Sequence, residues 1–370
     1  MGVSHFLEHL VFKGTRSMGP HEIALSIEQL GGSLDAYTSR DHTAFQARVL
    51  DEDLDEAARV IAELIFHPML RESDLKLERK VILEEIGSVE DQPDDLVFEL
   101  HNDALFAGSP YGHTILGTRE TIKALSIADV RSLHERAFRP PLIVVAASGN
   151  VEHDRLLAAL EKSGWMAEPG GGANVPATPE LSSEPTPSAI AKVRDTSQVH
   201  LVMGSRGITS NDPRRHAFGL VSMLLGDGMS SRLFQKVRED LGLAYSVHTF
   251  TESFLGAGAH GVYLGTSPET CADAERVVKE ELGRLSAEGL SEADLALAKR
   301  QLKGQVTLSM EGVSSRMYRA AASELYGRPW RDLDGVLADI EVVTVAETRQ
   351  VCEDFFAPER QSTVRLGPQA

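Results

Sequence analysis

The stretch HFLEHLVFKGT, residues 5–15, sets two histidines and a glutamate at helical spacing near the start of the chain. His5 and His9 lie four residues apart, so on a helix both rings share one face. Glu8 follows His5 by three residues and borders the same face. Apolar residues at positions 6, 7, 10, 11 and 12 surround the three polar ones. This pattern predicts a largely buried helix that carries its polar groups together.

The three side chains suit a zinc ion. Imidazole and carboxylate groups are ordinary zinc ligands, and a catalytic site keeps one position open for water. Glu8 is placed to take a proton from the attacking water, whose pKa the metal lowers. The competing interpretation is a chance occurrence of these residues on a helix without a metal.

A third protein ligand is expected from the helix-like segment LERKVILEEIGSVED, residues 77–91. Glu78, Glu84 and Glu85 compete for this role. Glu78 and Glu85 are seven residues apart and share a helix face. Spacing alone leaves the choice between Glu84 and Glu85 open.

Composition narrows the class of protein. The 370 residues carry a formal net charge of −18, which disfavours nucleic acid as a partner and attracts cationic peptides. Cysteine occurs only twice, which argues against a disulfide framework and fits a reducing compartment such as the cytoplasm. No apolar run approaches the ~18 residues of a membrane span.

An internal repeat organises the chain. SIADVRSLHERAFRPPLIVVAASG (126–149) resembles TVAETRQVCEDFFAPERQSTVRLG (344–367) at a constant offset of 218 residues (345 − 127 and 367 − 149). Each copy reads as a helix, a Phe-x-Pro break and an apolar strand. Residues 167–189, with Gly-Gly-Gly and several prolines, have the composition of a linker. Domains are therefore predicted at 1–166 and 190–370.

Both halves predict an α+β domain, an antiparallel sheet packed with helices. Segments 73–106 and 293–326 each read as one long helix, with Ser73 and Ser291 as candidate N-caps. The second half opens with strand-like residues before its first helix, whereas the first half begins directly at a helix. The first sheet is therefore predicted to have fewer strands than the second, with its N-terminal strands missing.

The motifs taken together resemble the pitrilysin/insulinase family of inverted-motif zinc peptidases. The likeness rests on HFLEHLVFKGT, GGSLDAYTSRDHTAF, ERKVILEEIGSVEDQPDD and PYGHTILGT, and it is strongest to the bacterial type similar to the β-subunit of mitochondrial processing peptidase. It runs through nearly the whole chain. The resemblance implies one zinc ion per chain.

Site residues follow from the resemblance position by position. His5, His9 and Glu85 would be the zinc ligands, and Glu8 the general base. Glu78 would be the acid that supports a ligand. In the segment VREDLGLAYSV, Arg238 and Tyr245 match a family pair that would hold the substrate carbonyl and stabilise the oxyanion. Without the resemblance, Arg238 reads as the partner of a nearby acid, and Tyr245 as packed beside a strand.

The resemblance also implies how substrate binds. A peptide would join the first sheet as an extra strand along LDAYTS, so Asp35, Ala36 and Tyr37 are candidate contacts. The second copy has no counterpart of the zinc ligands, since Glu85 aligns near Val306. A homodimer with a composite active site is expected, in which Arg238 and Tyr245 serve the partner's zinc.

The sequence thus predicts a zinc-dependent metalloendopeptidase that cleaves short or unfolded peptides inside a chamber. The alternative is a non-catalytic or truncated, inactive structural or assembly subunit of the same fold. The intact set His5, Glu8, His9 and Glu85 favours the enzyme.

Overall fold

The computed structural model describes residues 1–167, 178–179, 181 and 185–368. By contacts between residues, the chain forms two compact units. The first comprises Met1–Ser88 and His113–Ala177, and the second comprises Val89–Gly112 and Thr178–Ala370.

The first unit is built from helices around a two-stranded sheet. Its helices are α1 (Val3–Val11), α2 (Pro20–Glu28), α3 (Leu54–Phe66), α4 (Glu72–Glu90, in this unit as far as Ser88), α6 (Arg119–Ala124), α7 (Ile127–Ala137) and α8 (His153–Lys162). Its strands β1 (Ser33–Thr38) and β2 (Thr43–Arg48) pair antiparallel.

One apolar core brings α1 and α4 together. Its buried members include Phe6, Leu7, Leu10 and Val11 of α1 and Leu75, Ile82 and Ile86 of α4. The start of α1 depends on Gly2, whose φ of 78° is left-handed and whose Cβ, if present, would lie 2.6 Å from the Leu116 carbonyl oxygen. Glycine tolerates both conditions. Packing of the apolar residues therefore turns the polar residues of α1 toward α4.

The second unit holds a five-stranded sheet in the order β3-β7-β4-β6-β5. Its strands are β3 (Ala189–Val193), β4 (Val199–Arg206), β5 (Ala244–Ser253), β6 (Gly258–Thr266) and β7 (Ser362–Gly367). Its helices are α5 (Pro93–Leu105), α9 (Arg215–Gly226), α10 (Cys271–Glu288), α11 (Glu292–Ser309), α12 (Val313–Leu325), α13 (Leu333–Glu341) and α14 (Val345–Phe355). A π-helical segment spans Phe234–Asp240.

The two faces of this sheet contact different helices. Leu201 and Met203 of β4 point into the main core, with residues of α9, α10 and α14. Val202, between them, points the opposite way and packs with Val97 of α5. This alternation is the two-residue period of a strand buried on both faces.

The α+β class is confirmed, and the sheet of the second unit has more strands than that of the first among the described residues. Two details differ from prediction. The pair β3–β7 is parallel, whereas the other pairs of that sheet are antiparallel. The strand expected after Pro140 does not form at 143–148. Its counterpart β7 pairs with β3 and β4.

The two predicted long helices are wrong in the same way. Each is a pair of helices, α4 with α5 and α11 with α12, interrupted before Pro93 and at Gly312. Proline lacks the amide hydrogen that a continuous helix requires, and glycine weakens a helix. Ser291 caps α11 as predicted, but Ser73 lies inside α4 and caps nothing.

The predicted boundaries 1–166 and 190–370 stay a prediction, and the structure groups residues 89–112 with the second unit. The cause is α5, whose Val97 packs with the sheet residues Val364 and Leu366. Most of the predicted linker 167–189 lies outside the described residues. Within the described part of the chain, no helix is both long and apolar enough to cross a membrane.

Candidate active site

The polar residues of α1 meet two glutamates of α4. His5 Nε2 lies 3.8 Å from Glu85 Oε2, and His9 Nε2 lies 3.6 Å from Glu85 Oε1. One ligand atom from each of the three residues can be chosen so that all lie within 4.8 Å of one another. Among the described residues, no other set of three histidine, cysteine or acidic side chains meets this criterion.

These distances fit a zinc ion. Bonds of ~2.0–2.1 Å at tetrahedral angles place neighbouring ligand atoms roughly 3.3–3.5 Å apart. Glu85 Oε2 is buried and has no hydrogen-bond partner within the described chain, which suits an atom that binds a metal. Glu84, the rival candidate, is exposed on the helix. The donor set of two imidazoles and one carboxylate matches a zinc site with an open fourth position.

Electrostatics favour metal binding at His5. Burial, and secondly the nearby His9, lower the pKa of His5 to about 4, so its ring is neutral near pH 7. A neutral imidazole keeps the lone pair that a metal requires. Its Nδ1 is buried without a hydrogen-bond partner in the described residues, unlike most zinc-binding histidines.

Glu8 is buried at 9% exposure, and its carboxylate accepts a hydrogen bond from the Thr38 hydroxyl. Burial raises the pKa of Glu8, and the hydrogen bond from Thr38 opposes this rise. A raised pKa makes the carboxylate a stronger base. Thr38 ends β1, and its Oγ1 also lies 3.3 Å from Thr43 Oγ1 on β2.

Glu78, which the resemblance implied as a supporting acid, contacts His9 and Lys13. Its Oε2 lies 3.1 Å from His9 Nδ1, and its Oε1 lies 2.8 Å from the Lys13 ammonium. Sequence reasoning missed Lys13 and Thr38. Lys13 lies just beyond the end of α1, so its closeness to the motif in sequence could have identified it. Thr38 carries no such signal, because it reaches Glu8 only through the packing of β1 on α1.

The proposed substrate contacts all lie on β1. Asp35, Ala36 and Tyr37 pair with Gln46, Phe45 and Ala44 of β2. β1 has only this one neighbour among the described strands, so its other edge offers backbone groups to an added strand. The Tyr37 ring packs edge-on against His42 with centroids 5.6 Å apart.

Arg238 and Tyr245 lie together in the second unit. The Arg238 guanidinium carbon is 4.4 Å from the centre of the Tyr245 ring, and its Nε is 3.7 Å from Glu239 Oε1. Tyr245 lies on β5 and is 72% exposed. The two side chains are thus in contact, with Tyr245 exposed and Arg238 partly exposed within their unit.

Two models of one peptidase family match the chain, one in each half. The family model "Insulinase (Peptidase family M16)" matches residues 1–119, which contain His5, Glu8, His9 and Glu85. The model "Peptidase M16 inactive domain" matches residues 124–302, which contain Arg238 and Tyr245.

Bacterial relatives match along almost the whole chain. A Streptomyces coelicolor protein named an uncharacterized zinc protease is 37% identical, over 99% of this chain and 81% of its own length. The uncharacterized zinc protease YmxG of Bacillus subtilis is 34% identical, over 97% of this chain and 86% of its own. The likeness to a processing-peptidase β-subunit stays a prediction.

Solved structures share the fold. A peptidase M16 inactive domain from Pseudomonas fluorescens superposes with a TM-score of 0.92 at 22% identity, covering 100% of this chain and 88% of that one. A protease from Helicobacter pylori gives 0.91 at 22% identity, covering 99% and 90%. By its sequence relatives and its fold, the chain belongs to the insulinase family of peptidases, family M16.

Proposed function

We propose that the protein is a zinc-dependent metalloendopeptidase that cleaves short or unfolded peptides. The observation that carries this proposal is the convergence of His5, His9 and Glu85 beside the buried Glu8. The names of the bacterial relatives support zinc and proteolysis at the coarser level. The alternative, a non-catalytic subunit, gives no reason for a buried carboxylate next to three potential ligands.

The chain's own residues would divide the work. His5, His9 and Glu85 would hold one zinc ion, which when bound polarises the scissile carbonyl and acidifies water. Glu8 would take the proton of the attacking water and pass it to the leaving amine. Thr38 would orient the Glu8 carboxylate, and Glu78 would orient His9.

The peptide would bind as an extended strand. Its backbone would pair with the free edge of β1, beside Asp35, Ala36 and Tyr37. Because Thr38 ends the same strand and contacts Glu8, a paired peptide would run toward the base. Selectivity would then depend on the ability to adopt an extended strand more than on one side-chain pocket.

Arg238 and Tyr245 would act in a homodimer, where they would bind the substrate carbonyl at the partner's zinc. The exposure of Tyr245 and its contact with Arg238 support a role toward a bound molecule. Mixing Glu8→Gln chains with Arg238→Ala chains tests this arrangement. Restored cleavage supports a shared site, whereas none in proven heterodimers contradicts it.

The decisive experiment for the reaction compares Glu8→Gln with the unsubstituted, zinc-loaded chain on an internally quenched, unstructured peptide. Loss of the base should lower kcat/KM by about 10²–10⁴-fold. Zinc content is measured alongside, and Glu28→Gln on the exposed face of α2 serves as the control. Cleavage unchanged in Glu8→Gln would contradict the mechanism. Zinc bound without cleavage by the unsubstituted chain would favour the non-catalytic subunit.

A further inference from the structure

Lys13 reaches the metal site through Glu78. Its ammonium lies 2.8 Å from Glu78 Oε1, while the other oxygen, Oε2, lies 3.1 Å from His9 Nδ1. The Glu78 side chain is 6% exposed and that of Lys13 is 37% exposed. Both oxygens of the buried Glu78 carboxylate therefore have partners. Lys13 supplies the positive charge that a buried carboxylate requires.

The contact with Glu78 decides which nitrogen of His9 faces the site. A carboxylate can only accept hydrogen bonds, so Nδ1 donates to Glu78. The lone pair then lies on Nε2, which is 3.6 Å from Glu85 Oε1. This is the nitrogen that a metal between His5, His9 and Glu85 would need. A Glu78 carboxylate free to rotate would leave the tautomer of His9 unfixed.

The main chain of Lys13 is tied to the helix that carries Glu78. Its carbonyl accepts a hydrogen bond of 2.6 Å from Arg71, and Arg71 also donates to Asp74 at 2.7 Å in the first turn of α4. The Lys13 amide donates to the Leu10 carbonyl at the end of α1. The ammonium therefore reaches Glu78 from a turn that α4 itself holds in place.

We propose that Lys13 is a positioning residue of the metal site, which fixes Glu78 and thereby the tautomer and orientation of His9. This inference rests on the proposed zinc site but not on catalysis. The alternative is that the salt bridge between Lys13 and Glu78 stabilises the fold and has no effect on metal binding. Only the positioning role predicts that a Lys13 variant as stable as the unsubstituted chain binds zinc more weakly.

The test compares Lys13→Met, which removes the charge, with Lys13→Arg, which keeps it. Zinc affinity is measured by competition with a chromophoric chelator. Lys13→Met should weaken binding about 10–100-fold, as loss of a partner of a metal ligand does. Lys13→Arg should restore most of the affinity. Lys162→Met, which breaks the exposed pair with Asp55, is the matched control and should leave zinc affinity unchanged.

A double-mutant cycle with Glu78→Gln makes the test specific. If Lys13 acts through Glu78, Lys13→Met should weaken zinc binding little further once Glu78 is replaced. Additive losses, or a Lys13→Met chain that binds zinc as tightly as the unsubstituted one, would overturn the proposal. Circular dichroism checks that each variant is folded, and Lys13→Gln replaces Lys13→Met if the latter is not.

A second readout needs neither metal nor activity. Nitrogen-15 spectra of the metal-free chain should show His9 protonated at Nδ1, and a mixture of tautomers in Lys13→Met. An unchanged spectrum contradicts the proposal even if zinc never binds. Failure of zinc binding by the unsubstituted chain would instead count against the proposed function, so the two failures are distinguishable.

Discussion

Two helix pairs, α1 with α4 and α9 with α11, make polar contacts of different chemistry. In the first pair, His9 Nε2 faces Glu85 Oε1 at 3.6 Å. In the second, the amide of Gln305 donates to Asp227 Oδ2 at 3.4 Å, just after the end of α9. Glu85 lies ten residues after the buried Leu75, and Gln305 lies ten after the buried Leu295. The same helix position therefore reaches the neighbouring helix in both units.

A neighbouring position differs in the same sense. Glu78 and Ala298 each follow those leucines by three residues, and both are buried. A buried carboxylate requires partners, which Lys13 and His9 supply, whereas alanine requires none. Packing of apolar residues therefore brings the two helices of each pair together. The donor atoms, and the partners that hold them, decide whether the pair can bind a metal.

The largest expected effect comes from giving the first pair the amide of the second. Glu85→Gln should reduce zinc affinity by about a hundredfold or more, since an uncharged amide is a poor zinc ligand. Glu84→Gln, one residue away and exposed, is the matched control and should bind zinc as the unsubstituted chain does. Zinc affinity by chelator competition gives the comparison.

The opposite outcome is equally informative. If Glu84→Gln loses zinc and Glu85→Gln keeps it, the α4 register of the site is wrong. The comparison between Glu85 and Gln305 would then fail with it.

A smaller effect is expected where a partner aligns the base. Thr38→Val removes the hydroxyl that donates to Glu8 and should lower kcat about tenfold, with zinc affinity unchanged. Thr38→Ser keeps the hydroxyl and should restore most of the rate. Thr43→Val tests whether the neighbouring hydroxyl at 3.3 Å acts only through Thr38. A rate that is equal in Thr38→Val and the unsubstituted chain would show that Glu8 needs no such partner.

The metal motif could be found in the sequence because its spacing is local. His5, Glu8 and His9 lie within one helix, so helical periodicity alone groups them. The choice of Glu85 over Glu84 needed the family resemblance, and the exposure of Glu84 agrees with it. Thr38 could not be predicted, because a contact across 30 residues depends on how β1 packs on α1.

The fold was also predictable in part. The repeat implied two α+β units, and comparison of the two halves implied fewer strands in the first sheet. The parallel partner of β7 and the assignment of α5 to the second unit could not be predicted. Both depend on contacts between segments far apart in sequence, which periodicity does not encode.

Two buried histidines of the second unit, away from the candidate metal site, give a pH prediction. In the second unit, burial lowers the pKa of His101 to about 4 and that of His260 to about 3. Below pH 6.5, the ordinary pKa of histidine, these side chains bind protons in the unfolded chain but stay neutral in the folded chain. Stability should therefore fall as the pH drops from 6.5 toward 4, by up to about 1.4 kcal/mol per pH unit for each histidine.

Replacing His101 tests this sign. His101→Met should flatten the loss of stability between pH 6.5 and 4 in metal-free protein by about one proton. Urea unfolding at a series of pH values measures the slope. His21→Met, at an exposed position, controls for removal of an imidazole as such. An unchanged slope in His101→Met would mean that this ring is protonated in the fold.

The smallest expected effect concerns the first turns of α4 and α11, the corresponding helices of the two units. Ser291 accepts a hydrogen bond of 3.1 Å from the Asp294 amide, and the Asp294 carboxylate accepts one from the Ser291 amide, so α11 starts with a capping box. Ser73 in α4 donates only to the adjacent Asp74. Ser291→Ala should therefore cost about 1 kcal/mol of unfolding free energy, and Ser73→Ala close to none. Equal losses in urea unfolding would mean that the first turns of α4 and α11 are stabilised alike.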